Sequence, residues 1–91
     1  MAIRTFRKRP ILIEVVRWTG DNLAELVEWA GARNLSYRTD ANGQPHLRVK
    51  VHAEEDWCNC PVGHYVARGV YGEFYPIRED ILHATYDEVD A

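Results

Sequence analysis

The chain is poor in features that would assign it a chemistry. It has only two cysteines, Cys58 and Cys60. With one residue between them a disulfide would close a tiny, strained loop, which excludes the bridged scaffold of a secreted mini-protein. The Cys-x-x-Cys spacing of a dithiol redox site is missing as well. No apolar run approaches the roughly 18 residues of a membrane span, and no apolar segment with a small-residue cleavage site follows the basic start. A cytosolic protein is the expectation. Gly63, Gly69 and Gly72 fit neither a P-loop nor a dinucleotide fingerprint. Internal repeats and low-complexity tracts are absent too.

What is present is enough for a folded domain. The 91 residues are 46% hydrophobic and include three Trp, five Tyr and two Phe, too rich in core formers for a disordered chain. The length leaves room for one modest core. The expected organisation is a basic N-terminal arm over residues 1–10 and a single α+β domain over residues 11–91. Net charge is -3, unevenly spread. The arm carries Arg4, Arg7, Lys8 and Arg9 without an acid, whereas residues 54–91 carry nine acids against Arg68 and Arg78. A basic arm can meet phosphate in a salt-dependent contact, or it can solvate a free end and offset the acidic C-terminal region.

Residues 11–18 are rich in Ile, Leu and Val and predict a strand covered on both sides. Glu14 then reads as a rim carboxylate paired with Arg17 or another cation. Thr19 or Asp21 is placed to cap a helix over residues 22–30, and Gly31 to end it. Leu23, Leu26, Val27 and Ala30 form its apolar stripe. Trp29 lies beside that stripe, either sealing the helix against a sheet or standing as an interface anchor. Residues 35–38 and 46–52 predict an antiparallel pair around a loop containing Asn42-Gly43. In the second strand Leu47, Val49 and Val51 point inward, and His46, Arg48, Lys50 and His52 outward as a wet, edge-protecting face.

The acidic Glu54-Glu55-Asp56 cluster reads as a solvated loop leading through Trp57 to Cys58-Asn59-Cys60-Pro61. Residues 65–68 and 73–77 predict a further strand pair, with Gly69 and Gly72 supplying positive φ or close backbone approach at the reversal. Residues 79–84 predict a short helix, followed by an extended tail. Together these elements predict a small curved antiparallel sheet or partial barrel packed against one main helix, with a short C-terminal helical segment.

Chemistry-bearing residues are few. His52, Cys58, Cys60 and His64 are of zinc-binding type, but Cys-x-Cys lacks the two-to-four-residue ligand separation of a zinc knuckle, so neither metal nor cofactor is expected. A nucleophile-and-base pair from Cys58 or Cys60 with His64, or an acid/base pair from Glu73 with His83, lacks any sign of the accompanying geometry. An enzyme is not expected. Tyr71, Glu73 and Tyr75 would share one strand face and, with Trp29, are the candidate protein-binding residues, since aromatics supply contact area at low entropic cost. The same rings could stack bases, or they could simply complete the core. Arg4, Arg7, Lys8 and Arg9 are the candidate nucleic-acid-binding residues.

Several segments carry a resemblance. They are Arg7-Lys8-Arg9-Pro10-Ile11-Leu12-Ile13-Glu14-Val15, Trp18-Thr19-Gly20-Asp21-Asn22, Val62-Gly63-His64-Tyr65-Val66, Gly69-Val70-Tyr71-Gly72-Glu73-Phe74-Tyr75-Pro76, and Ile81 with Thr85-Tyr86. In order and spacing the chain resembles the small tailed-bacteriophage proteins related to the PGDYG group, a family of mostly unassigned function. His64 stands where the family pattern has Asp, and Cys58 and Cys60 do not correspond to family positions. The resemblance implies a phage accessory protein in the host cytoplasm that binds and modulates a host protein, such as a defence component, or alternatively associates with nucleic acid.

Overall fold

The computed structural model describes residues 1–51 and 56–90. Its strands are β1 (Glu14–Arg17), β2 (Leu35–Thr39), β3 (Pro45–Lys50), β4 (Trp57–Cys60), β5 (Tyr65–Arg68) and β6 (Phe74–Ile77). Helix α1 (Leu23–Ala30) joins β1 to a 3-10 turn (Ala32–Asn34) ahead of β2, and α2 (Glu79–Thr85) follows β6.

The fold is α+β, but it contains two antiparallel sheets where the sequence predicts one. Sheet A has the order β1-β5-β6 and sheet B the order β2-β3-β4. The divergence occurs at Pro61. There His64 N donates to Pro61 O at 3.0 Å and Gly63 N to Trp18 O at 2.7 Å, turning the chain away from β4 and onto β1. Strand β5 is then paired on both edges, by β1 and β6, just as β3 is paired by β2 and β4. Among the described residues the sheets are not joined by a ladder; they meet by packing, with the edge strand β6 lying against β3 and β4. Pro76 falls on β6, an edge strand, where a missing N–H removes no ladder bond.

Strand β1 is shorter than expected. Its register with β5 ends at the Glu14↔Arg68 pair, and beyond Arg68 the chain turns at Gly69, so residues 11–13 have no partner strand. Ile11 and Leu12 are accordingly exposed. Glu14 is a rim carboxylate, with Arg68 Nη1 3.6 Å from its Oε1, while Arg17 reaches Glu79 at 3.5 Å.

Between the sheets and α1 lies one core of Trp18, Leu26, Ala30, Leu35, Leu47, Val49, Cys60 and Val66. The predicted helical stripe supplies its share, with Leu26 and Ala30 buried and Leu23 and Val27 packed alongside. Each fully buried Leu or Val contributes roughly 1.5–3 kcal/mol. Helix α1 is entered differently from the expectation. Asn22 holds the N-cap position but makes no cap bond. Its Oδ1 accepts from Thr19 N at 3.0 Å and its Nδ2 donates to Arg17 O at 2.7 Å, so it ties the helix start to the end of β1. The other end follows the sequence reading, with Gly31 at φ 88° donating its N–H to Val27 O.

Candidate functional site

Among the described residues, side chains that could meet a partner lie on several surfaces, two of them built on the sheets. The first is the turn joining β5 to β6. Gly69 N donates to Glu73 O at 2.8 Å and Gly72 N to Gly69 O at 3.0 Å, and Gly72 sits at φ 78°, where a side chain would strain the backbone. Gly69 matters for a different reason. The Glu73 side chain folds back over it, so that a Cβ on Gly69 would lie 1.5 Å from Glu73 Oε1. The other carboxylate oxygen accepts the Tyr71 N–H at 3.2 Å. Glu73 therefore fastens the turn from inside, and Tyr71 projects from it 93% exposed beside exposed Val70.

The expected strand face of Tyr71, Glu73 and Tyr75 is not what forms. Strand β6 begins at Phe74, so Tyr71 belongs to the turn. The three residues nonetheless gather around Gly69, because Tyr75 Cε1 would stand 3.3 Å from the same added Cβ. Tyr75 is half-buried. Burial pushes its phenol pKa up, and the neighbouring Tyr86 phenol and Glu73 carboxylate add to the shift. Trp29 is half-buried beside the core and meets Phe74 edge-to-face at 5.2 Å between ring centroids.

The N-terminal arm is exposed throughout residues 1–10 and carries no helix or strand. Lys8 Nζ donates to the Tyr86 hydroxyl and stands 3.8 Å from the ring centroid. Arg4 lies over Phe6. Arg7 and Arg9 extend from the same exposed segment.

The second surface is the outer face of sheet B, and it was only partly visible in the sequence. Its cross-strand rows follow from the register: Arg38 beside His46, then Ser36, Arg48 and Asn59 abreast, then Lys50 beside Trp57. Ser36, Arg38, His46, Arg48 and Asn59 line a shallow pocket of about 220 Å³. The Arg48 guanidinium carbon lies 5.8 Å from the centroid of the Trp57 ring, which is 36% exposed. At the far end His46 Nε2 is 2.9 Å from Asp40 Oδ2. That bond, followed by the Gln44 N–H, holds the Asp40 carboxyl below its usual range. The alternation of His46, Arg48 and Lys50 was legible. What the pattern missed was β4, which brings Trp57 and Asn59 alongside, and the continuation of the face onto Ser36 and Arg38.

Of the two thiols only Cys60 is packed in the core, and Cys58 is exposed. Cys58 and Cys60 are both free. Cys60 is 1% exposed, its Sγ lies 3.8 Å from Tyr65 O, and burial pushes its pKa up to about 11. A thiol so protonated is a poor nucleophile. His52 of the weighed zinc set lies outside the described residues, as do Glu54 and Glu55. Among the described residues no three His, Cys, Asp or Glu side chains converge to hold a metal. Nor does a hydrogen bond join His64 to either cysteine, or Glu73 to His83, among those residues. His83 instead packs edge-on against Tyr65, 6.4 Å between centroids.

Comparison with protein-family models, curated proteins and solved structures finds no match to this chain. The resemblance to the PGDYG group thus rests on the segments quoted above.

Proposed function

We propose that the chain is a non-catalytic phage accessory module that binds and modulates a host protein through the Gly69–Glu73 turn, with Tyr71 as its anchor. The observation that carries this reading is the pairing of near-complete Tyr71 exposure with a turn fastened internally by Glu73. An aromatic held on a fixed backbone offers a large contact area while losing little freedom on binding. Exposed Val70 adjoins it, giving the turn an apolar tip that suits an apolar socket on the partner. The phage setting, and with it the host cytoplasm, is supported by the resemblance alone. Among the described residues no helix is long and apolar enough to cross a membrane. Nucleic-acid contact by the arm has weaker support, since Lys8 is engaged with Tyr86.

Affinity capture from infected-host extract, with and without nuclease, tests the reading. Tyr71→Ala should lose the partner by at least about 30-fold in affinity, a hot-spot loss of about 2 kcal/mol, while Lys8→Ala retains it. Retention by folded Tyr71→Ala, or loss of the complex on nuclease treatment, would overturn the assignment.

A further inference from the structure

The outer face of sheet B concentrates positive charge on a chain whose net charge is -3. Arg38, Arg48 and Lys50 all project from it, with His46 at one end and the Trp57 ring beside Arg48. Among the described residues no carboxylate lies within 4.0 Å of Arg38, Arg48 or Lys50. Among the described residues, Asp40 touches the end of this face at His46 and is already occupied: Oδ2 meets His46, and Oδ1 accepts the Asn42 and Gln44 N–H groups.

We propose that this face binds single-stranded nucleic acid, with phosphates over the Arg38–Arg48 pocket and a base stacked on Trp57. Three features select that occupant. The first is charge complementarity, because cations in successive rows suit a polyanion. Rows two residues apart on a strand are separated by about 7 Å, which is the scale of one nucleotide in an extended strand. The second is Trp57, since an exposed aromatic among cations can stack an unpaired base, whereas bases inside a duplex present no free face. The third is the polar lining: Ser36 and Asn59, on either side of Arg48, bring hydrogen-bonding side chains to the pocket, suited to phosphate or sugar oxygens. This site goes beyond the Tyr71 reading and shares no residue with it.

The test is fluorescence anisotropy of the full chain with labelled oligo(dT) and oligo(U), titrated between about 50 and 200 mM salt. Up to three phosphates neutralised on a single strand give a log-log salt slope of about -2. Arg48→Gln should reduce that slope by about 0.7. Trp57→Leu, which keeps an apolar side chain on β4, should weaken binding about tenfold or more through lost stacking, while Trp57→Phe retains most of it. Tyr71→Ala and Lys8→Ala should bind as the parent does, so failure here is distinct from failure of the protein-binding reading. Any of four outcomes would overturn the proposal: no binding at the lowest salt, unchanged binding by Arg48→Gln and Trp57→Leu, loss of binding in Lys8→Ala, or equal displacement by poly-glutamate.

Discussion

Gly69→Ala should be nearly neutral while Glu73 is present and stabilising once Glu73 is removed. In the parent chain the new Cβ would stand 1.5 Å from Glu73 Oε1 and 2.6 Å from its Cδ. No such contact is tolerable, but the obstacle is the end of a flexible side chain, so the carboxylate swings away. It thereby abandons the Tyr71 N–H. A hydrogen bond of this kind is worth about 0.5–1.5 kcal/mol net, and surface exposure puts it toward the lower half of that span. Against this, Gly69 is not among the glycines at positive φ, so alanine suits its backbone and stabilises by about 0.4–1 kcal/mol through the unfolded chain. The two nearly cancel.

In a Glu73→Ala background the obstacle and the bond are both already gone, leaving only the favourable backbone term. Gly69→Ala should then raise the melting temperature by about 2–8 °C for a domain of this size, against little change or a small loss in the parent. The 3.3 Å approach to Tyr75 is common to both backgrounds and drops out of the cycle. Thermal denaturation of the four proteins by circular dichroism gives the coupling, expected to be about 1 kcal/mol. An equal shift in both backgrounds would refute the placement of Glu73 over Gly69. A drop in the Glu73→Ala background would mean that Tyr75 is what demands the glycine.

Leu26→Ala, which empties the fully buried centre of the α1 face, should cost about 2–5 kcal/mol, while exposed Glu25→Ala stays within about 0.5 kcal/mol; equal denaturant midpoints would sink the helix orientation. Thiol labelling of the native protein should modify Cys58 promptly and Cys60 only after unfolding. Because Cys60 is raised from 9.0 to about 11, the native state holds the thiol proton more tightly than the unfolded chain. That contribution is complete below about pH 9 and lost as pH rises through about 11, so alkaline destabilisation should be smaller in Cys60→Ala; an identical pH profile would refute it.

Much of this fold could be read from local pattern. The α1 stripe, the β2–β3 pair with its Asn42-Gly43 loop, and the β5–β6 reversal all carry periodicity or glycine signals that act within a few residues. The element that escaped was β4. Trp57-Cys58-Asn59-Cys60 has no alternation of apolar and polar types and follows an acid-rich connection, so only its pairing with β3 reveals it as a strand. Missing one strand was enough to miss the second sheet. Overextending β1 had the converse cause: residues 11–13 have strand composition but nothing to pair with. Glu73 was visible as a residue, yet its role depends on a through-space return to Gly69 and Tyr71 that spacing does not encode.

The two-sheet architecture bears directly on how the proposed surfaces would behave. The Tyr71 turn belongs to sheet A and is fixed by hydrogen bonds among its own residues, from Gly69 to Glu73. The cationic face belongs to sheet B and is fixed by the register of β2, β3 and β4, which sets each row side by side. Among the described residues the sheets share no ladder hydrogen bonds, and they meet where β6 packs against β3 and β4. A substitution at the tip of the turn therefore leaves the cation rows in register, and replacing an outward arginine leaves the turn closed. On the two proposals, one small domain would hold a protein at one surface and a single strand at another, with each affinity set by its own residues.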